Sequence, residues 1–293
     1  MTEYVIKKYQ EEFIENQYKI GTEVSKNWQL FGQTPVDRLK EAYSQPEFDP
    51  ETRLYCFLGD EMVGFLTSSV LPEKEDDKTI ANLTVPLVKE SHEDAIDLLM
   101  EKGLEILKSK GAEVVRTAAS DTWGDYGKIP EKWNYEYVRD LTFVVSQDIG
   151  KIASTEDTEN VLHYDKERDQ DQLVQIFVKE LGMTEEQAIQ NFELIESTEN
   201  VLGHYVVRKD DQIVARTYAA LDENQPIVQI GYIYSVDEDS KKKLVSKIIN
   251  ESKEKEIEKV QSNLFGGMLA KLDEYEAMGF KKIGKSVLYE KKL

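Results

Sequence analysis

The order of elements in this chain runs through twice, and that repeat restricts the fold more than any single motif does. In the first half the alternation at 3–8 reads as a strand, and a helical stretch follows to about residue 31. A second helix runs from Thr34-Pro35 through Tyr43, with Pro35 suited to a first turn. A hairpin comes next, 53–58 and 62–70 around Gly59-Asp60-Glu61. Beyond the acidic run 73–77, which reads as a solvated loop, lie a strand at 78–88 and a helix with one apolar face: Ile96, Leu99, Met100, Gly103, Leu104 and Leu107. A strand at 113–118 and a strand pair across 134–146 complete the first half. After a polar linker at 149–160 the order restarts, with a strand at 161–164, helices at 169–181 and 184–197, and a hairpin of 202–208 and 212–221 around Lys209-Asp210-Asp211. A strand at 227–236, a long helix at 240–258 and a strand at 259–264 follow. Asp60-Glu61-Met62-Val63-Gly64 stands where the second half has Asp211-Gln212-Ile213-Val214-Ala215. The expectation is an α+β chain of two like domains, 1–148 and 161–293, although any pair of α+β domains would show similar alternation.

Composition removes several classes of function. Hydrophobic residues at 40% fill a core, while no run approaches the roughly 18 apolar residues of a membrane span. The first residues, MTEYVIKKYQEEF, lack the apolar segment of a signal peptide, and the expected setting is the cytoplasm. Cys56, the one cysteine, lies in LYCFLG; it rules out an internal disulfide framework, fits a reducing compartment and reads as a small buried hydrophobe. A net charge of -20 repels phosphate backbones and argues against nucleic acid; it would draw in a cationic amine, although solubility alone accounts for most of these charges. His92, His163 and His204 have no metal-ligand spacing and read as incidental, so no metal is expected.

The last part of the chain carries the most specific pattern. Met268, Leu269, Leu272, Tyr275 and Met278 recur at helical spacing, Gly279 supplies the left-handed residue of a helix C-cap, Phe280 folds back on the last turn, and 285–291 alternates as a strand. Helix, Tyr-x-x-x-Gly-Phe, strand resembles the C-terminal signature of the GCN5-related N-acetyltransferases, with Tyr275, Gly279 and Phe280 at the positions that family uses. The resemblance implies two tandem acetyltransferase-fold domains, each a mixed, mostly antiparallel sheet flanked by helices. It further implies acetyl-coenzyme A or another acyl-coenzyme A as co-substrate and a small amine as acceptor, in a monomer or homodimer.

In that family the coenzyme A pyrophosphate is held where the fourth strand enters the long helix, at Arg/Gln-x-x-Gly-x-Gly/Ala, because glycines let free N–H groups approach the phosphates. The first copy places Glu90, Glu93 and Ala95 there; Ser91-x-x-Asp94 looks like a capping box, and the acids add like charge. This degenerate copy is not expected to bind coenzyme A in the usual way. The second copy, GYIYSVDEDSKKKLVSKII, has no glycine between Gly231 and Gly266. Val236, Ser240, Lys241, Lys242 and Lys243 would instead hold phosphate by charge and hydroxyl, against the plainer reading of a solvated helix face.

For the chemistry, the resemblance makes Tyr275 the general acid toward the leaving thiolate. With Asn134-Tyr135 aligned to Gly-Phe, the first copy has Pro130 there, which has no proton to give. The family's usual base, a glutamate near the fourth strand, is missing from both copies; Asn82 and Gln229 are not bases. Tyr232 and Tyr234 are the substrate-side candidates, and Trp28, Trp123 and Trp133 either line a cavity or fill the core. Two readings follow: an acyl-coenzyme-A-dependent N-acyltransferase with its activity in the C-terminal domain, or a non-catalytic binding or scaffolding module that lost the pyrophosphate loop.

Overall fold

A computed structural model describes residues 3–152, 154, 157–198, 200–222 and 225–293, which form two compact units: 1–140 with 286–293, and 141–285. The first contains β1 (Tyr4–Lys8), α1 (Ile14–Ser25), α2 (Val36–Tyr43), β2 (Arg53–Leu58), β3 (Glu61–Glu75), β4 (Lys78–Leu83), β5 (Leu87–Val88), α3 (Asp94–Ser109), β6 (Val114–Ser120) and α4 (Ile129–Lys132). Its sheet runs β1-β2-β3-β4-β6, antiparallel except where β4 meets β6, the parallel pair that the α3 crossover makes possible. The periodic face of α3 buries Leu99, Met100, Gly103 and Leu107 against this sheet.

The second unit takes residues 141–148 of β7 (Glu136–Asp148), then β8 (Val161–His163), α5 (Lys166–Leu181), α6 (Glu185–Ser197), β9 (Val201–Lys209), β10 (Gln212–Leu221), β11 (Ile227–Ile230), β12 (Tyr234–Ser235), α7 (Glu238–Glu254), β13 (Lys259–Phe265) and α8 (Leu272–Ala277). The sheet order is β8-β9-β10-β11-β13-β7, with β11 and β13 parallel. Two details show the repeat at the level of single residues. Val63 and Val214 are both skipped in the hairpin register, a bulge at the same place in each copy. The helix stop is shared too: Phe280 N–H donates to the Tyr275 carbonyl (3.1 Å) across Gly279 at φ 91°, and Tyr135 N–H donates to the Pro130 carbonyl (2.9 Å) across Asn134 at φ 57°.

Other expectations are revised. Residues 134–146 do not form a strand pair: β7 is one strand, and its 142–148 pair antiparallel with β13 of the second unit. Correspondingly, 286–292 of β14 (Lys281–Lys292) pair with β6 of the first, from Ser286↔Ser120 to Lys292↔Val114. Each sheet is therefore completed by a strand from the other half of the chain, unlike the division at 148 and 161. Glu73–Glu75 belong to β3, and Asp76-Asp77, at φ 50° and 62°, make the tight hairpin turn to β4. In the expected linker 149–160, Ala153, Thr155 and Glu156 lie outside the described residues, while Ile149 and Ile152 are buried in the second core. The capping box at Ser91 is not formed: Ser91 has φ 71°, its N–H donates to Glu93 Oε1 (3.1 Å), and α3 has no side-chain cap.

Candidate active site

The sheet of the second unit comes apart at one point. β11 runs beside β13 only as far as Gln229↔Gln261; β13 then continues to Phe265 against β7, while the other strand breaks at 231–233 and resumes as β12 against β10, with Arg216 opposite Tyr234. One predicted strand, 227–236, is thus two, separated by a kink. Tyr275 reaches this kink from α8. Its hydroxyl accepts the N–H of Ile233 (3.4 Å), its ring packs edge-on against Phe280, and it is 2% exposed. Burial pushes the phenol up to about 12, against the pull of the Ser262 hydroxyl and the Ile233 N–H, so it keeps its proton at neutral pH and is a donor.

On one side of the kink lies a cavity of about 420 Å³ walled by α5 and α6, the strand ends, and the turn Gly266–Lys271. Phe177, Leu181, Met183, Ile195, Tyr232 and Met268 give it apolar walls, and Gln229, Asn263 and Arg216 bring polar groups to it. Arg216, at 1% exposure, is the only charged residue among the described residues that line it. Its Nε donates to His204 Nε2 (2.8 Å), its guanidinium lies over the rings of Phe177 (4.8 Å) and Phe192 (5.5 Å), and its Nη2 has no partner. Sequence reading missed this pair. The available signal was a charge in the middle of IVARTYAAL, a strand buried on both faces.

His204 is an integral part of the site. Burial first, and then Arg216, hold its imidazole down to about 2, so it folds as the neutral acceptor the guanidinium requires. The unfolded chain takes up that proton below its ordinary value and the folded chain does not. Stability is therefore complete above that value and is lost as pH falls. Lowering pH from 7 to 5 should cost about 2 kcal/mol through this group. Urea unfolding at both pH values, on the parent and His204→Gln, checks this; equal pH dependence in the two proteins would contradict it.

Between the start of α7 and the end of α8 lies a groove of about 300 Å³ lined by Ile152, Val245, Met278, Phe280, Lys241 and Lys242, among others. Of the cofactor candidates, Lys241 and Lys242 line this groove, and Lys241 also pairs with Glu238 (3.0 Å). The other cofactor candidates are elsewhere. Ser240 is 1% exposed, and both its N–H (2.8 Å) and its hydroxyl (3.0 Å) donate to the carboxylate of Asp237, the N-cap of α7. Lys243 pairs with Asp157 (2.9 Å) and Asp239 (3.7 Å). Val236 is exposed, with its N–H on the Val214 carbonyl (2.9 Å). Asp237 itself is held down to about 2 by the Ser240 N–H and by Lys209, so a carboxylate occupies the helix start where a backbone-held pyrophosphate would lie. The residues fit an acyl-pantetheine arm with phosphate held by lysine, and they do not fit a glycine-loop cradle. Of the substrate-side tyrosines, Tyr232 lines the cavity against Phe177 (6.1 Å), and Tyr234 is half-buried outside its wall.

The first unit has filled the equivalent space. Trp28 stacks on Trp123 at 4.8 Å, Phe31 and Tyr126 close around them, and Trp123 Nε1 donates to the Gln29 carbonyl (2.8 Å). Trp123 follows the end of β6 by the same three residues that separate Met268 from the end of β13. Trp28 and Trp123 thus pack as core, whereas the half-buried Trp133 donates to Asp97 (3.2 Å) and lines a separate hollow with Lys132 and Lys291. Cys56 is also buried, which pushes its thiol up to about 11 and leaves it unreactive. Among the described residues no group of His, Cys, Asp and Glu is arranged to hold a metal, and no helix is long and apolar enough to cross a membrane.

A kinked strand parting from its parallel neighbour, with a helix-borne tyrosine at the gap, defines the acetyltransferase fold, here in its two-domain form. No protein-family model matches the chain, and no curated protein sequence is similar to it. Solved structures are. A tandem GNAT protein from the clavulanic acid biosynthesis pathway superposes with a TM-score of 0.62 at 12% identity, over 99% of this chain and 98% of that one. A GNAT-family acetyltransferase from Colwellia psychrerythraea gives 0.61 at 14%, over 98% and 100%, and a GCN5-related N-acetyltransferase from Sphaerobacter thermophilus gives 0.58 at 12%, over 99% and 95%.

Proposed function

We propose that the second unit transfers an acyl group, in the simplest case acetyl, from acyl-coenzyme A to the nitrogen of a small amine. The observation that carries this is the placement of Tyr275: its helix borders a groove with two lysines, its hydroxyl meets the residue after Tyr232 in the cavity wall, and it retains a proton. Acyl-coenzyme A supplies the activated carbonyl. The amine nitrogen forms the new C–N bond as the C–S bond breaks; the ammonium proton goes to a base and the thiolate takes one from Tyr275. Burial first, and then the charge of Glu180, raise the phenols of Tyr232 and Tyr234, and Glu180 is the carboxylate we assign to receive the amine's proton through water. The first unit, with its gap filled by aromatic rings, is the structural partner.

One observation favours the rival reading of a binding module, namely the Asp237 carboxylate at the start of α7. Calorimetric titration with acetyl-coenzyme A separates the two. Micromolar binding that weakens about 10- to 100-fold in Lys241→Glu/Lys242→Glu is the expected result. Absence of heat at millimolar acetyl-coenzyme A would leave the binding module standing.

A further inference from the structure

The second unit contains two buried arginines, and the contrast between them is informative. Arg208 forks onto Asp169, with Nε on Oδ1 at 3.0 Å and Nη2 on Oδ2, so its charge is matched inside the fold. Arg216 is buried more deeply still but has no acidic partner among the described residues; it is given a neutral imidazole, two aromatic faces and an Nη2 with nothing to donate to. An ionised group taken out of water without a counter-charge costs far more than its aromatic contacts return. Of the described residues that line this cavity none is acidic, in a chain that has 57 acidic residues. On the wall of the same cavity, the Asn263 side-chain oxygen is buried and also lacks a partner.

We infer that the cavity takes a ligand carrying a carboxylate, which accepts from Arg216 and supplies the missing counter-charge. Asn263 accepts an N–H of the same ligand, and the walls of Phe177, Leu181 and Ile195 enclose an apolar side chain. Resting on the acyltransferase reading, this makes the acceptor an apolar amino carboxylate of amino-acid size. A planar guanidinium suits the fork geometry of a carboxylate, and enclosure makes the charge-assisted bond strong.

The test is calorimetric titration of the full chain, without acyl-coenzyme A, with L-leucine, with leucinamide and with 4-methylpentanoate. Leucinamide keeps the amine and loses the carboxylate; 4-methylpentanoate does the reverse. Leucine and 4-methylpentanoate are expected to bind, and leucinamide to bind about 10- to 100-fold more weakly. Arg216→Gln should abolish that difference. Should Arg216→Gln fail to fold, Arg216→Lys, which retains charge without the fork, should narrow it, and Asn263→Leu should weaken leucine more than 4-methylpentanoate. Equal affinity for leucine and leucinamide, or no binding of either carboxylate at ~10 mM, overturns the inference. Acyl transfer is assayed separately: transfer to leucinamide as fast as to leucine keeps the acyltransferase and removes the carboxylate subsite. Carboxylate binding without any transfer keeps the subsite and removes the acyltransferase.

Discussion

Tyr275→Phe is expected to lower the rate of acyl transfer by about 10²- to 10⁴-fold, the range a positioned proton donor contributes, while leaving the groove and cavity in place. The substitution removes one oxygen. The ring that packs on Phe280, and the helix stop in which Phe280 N–H returns to the Tyr275 carbonyl, are unaffected. What is lost in the fold is the interaction with the Ser262 hydroxyl and a long acceptor contact to the Ile233 N–H, each worth about 1 kcal/mol. Thiol release measured at saturating acyl-coenzyme A and acceptor distinguishes the outcomes. A drop in kcat with unchanged affinity assigns the proton to Tyr275, and a kcat near that of the parent would show that water protonates the thiolate. The elevated phenol bears on pH as well: the donor stays protonated through neutrality, so any loss of rate between pH 5 and 8 belongs to another group.

Asp169→Ala should destabilise the second unit by about 3–5 kcal/mol, because it strands the Arg208 guanidinium in a buried site. Asp169 lies at 0% exposure in the first turn of α5 and also accepts the Asp165 N–H (2.8 Å), so the truncation loses a helix-start bond too. Replacing both partners, Asp169→Leu with Arg208→Met, should recover most of the loss, since no uncompensated charge is then left behind. Urea titration followed by far-ultraviolet circular dichroism measures the effect. Tryptophan fluorescence supplies an internal control, because Trp28, Trp123 and Trp133 all lie in the first unit. A single variant less stable than the parent by under about 1 kcal/mol would mean that water reaches Arg208.

Much of this arrangement is legible in the residues themselves. The hairpin correspondence that set Val63 against Val214 is matched by a bulge at both residues, and the alignment of Asn134-Tyr135 with Gly279-Phe280 is reproduced bond for bond in the two helix stops. Such features are local; each is decided within about six residues by turn conformation and periodicity. The features that escaped are those settled by distant partners. An alternating strand presents the same pattern whichever sheet it joins, so nothing in 141–148 or 286–292 announces an exchange of partners. Arg216 meets His204 across neighbouring strands, and neither residue has a motif of its own. Ser240 was the avoidable case: Asp237 three residues before it, at the first polar position after a strand, is an N-cap signal, and it identifies where the serine's hydroxyl is spent.

The exchange of closing strands also determines when each unit can be finished on the ribosome. Chains ordinarily complete their N-terminal part first, as it emerges. Here residues 1–140 must wait for 286–292 before β6 has its outer neighbour. At typical elongation rates that delay is about 10–30 s, during which a long ladder of backbone donors and acceptors faces solvent or a chaperone. The second unit, by contrast, finds its own borrowed strand, 141–148, already made. The half that holds the cavity is therefore the first that can close, and the half expected to be only structural is the last.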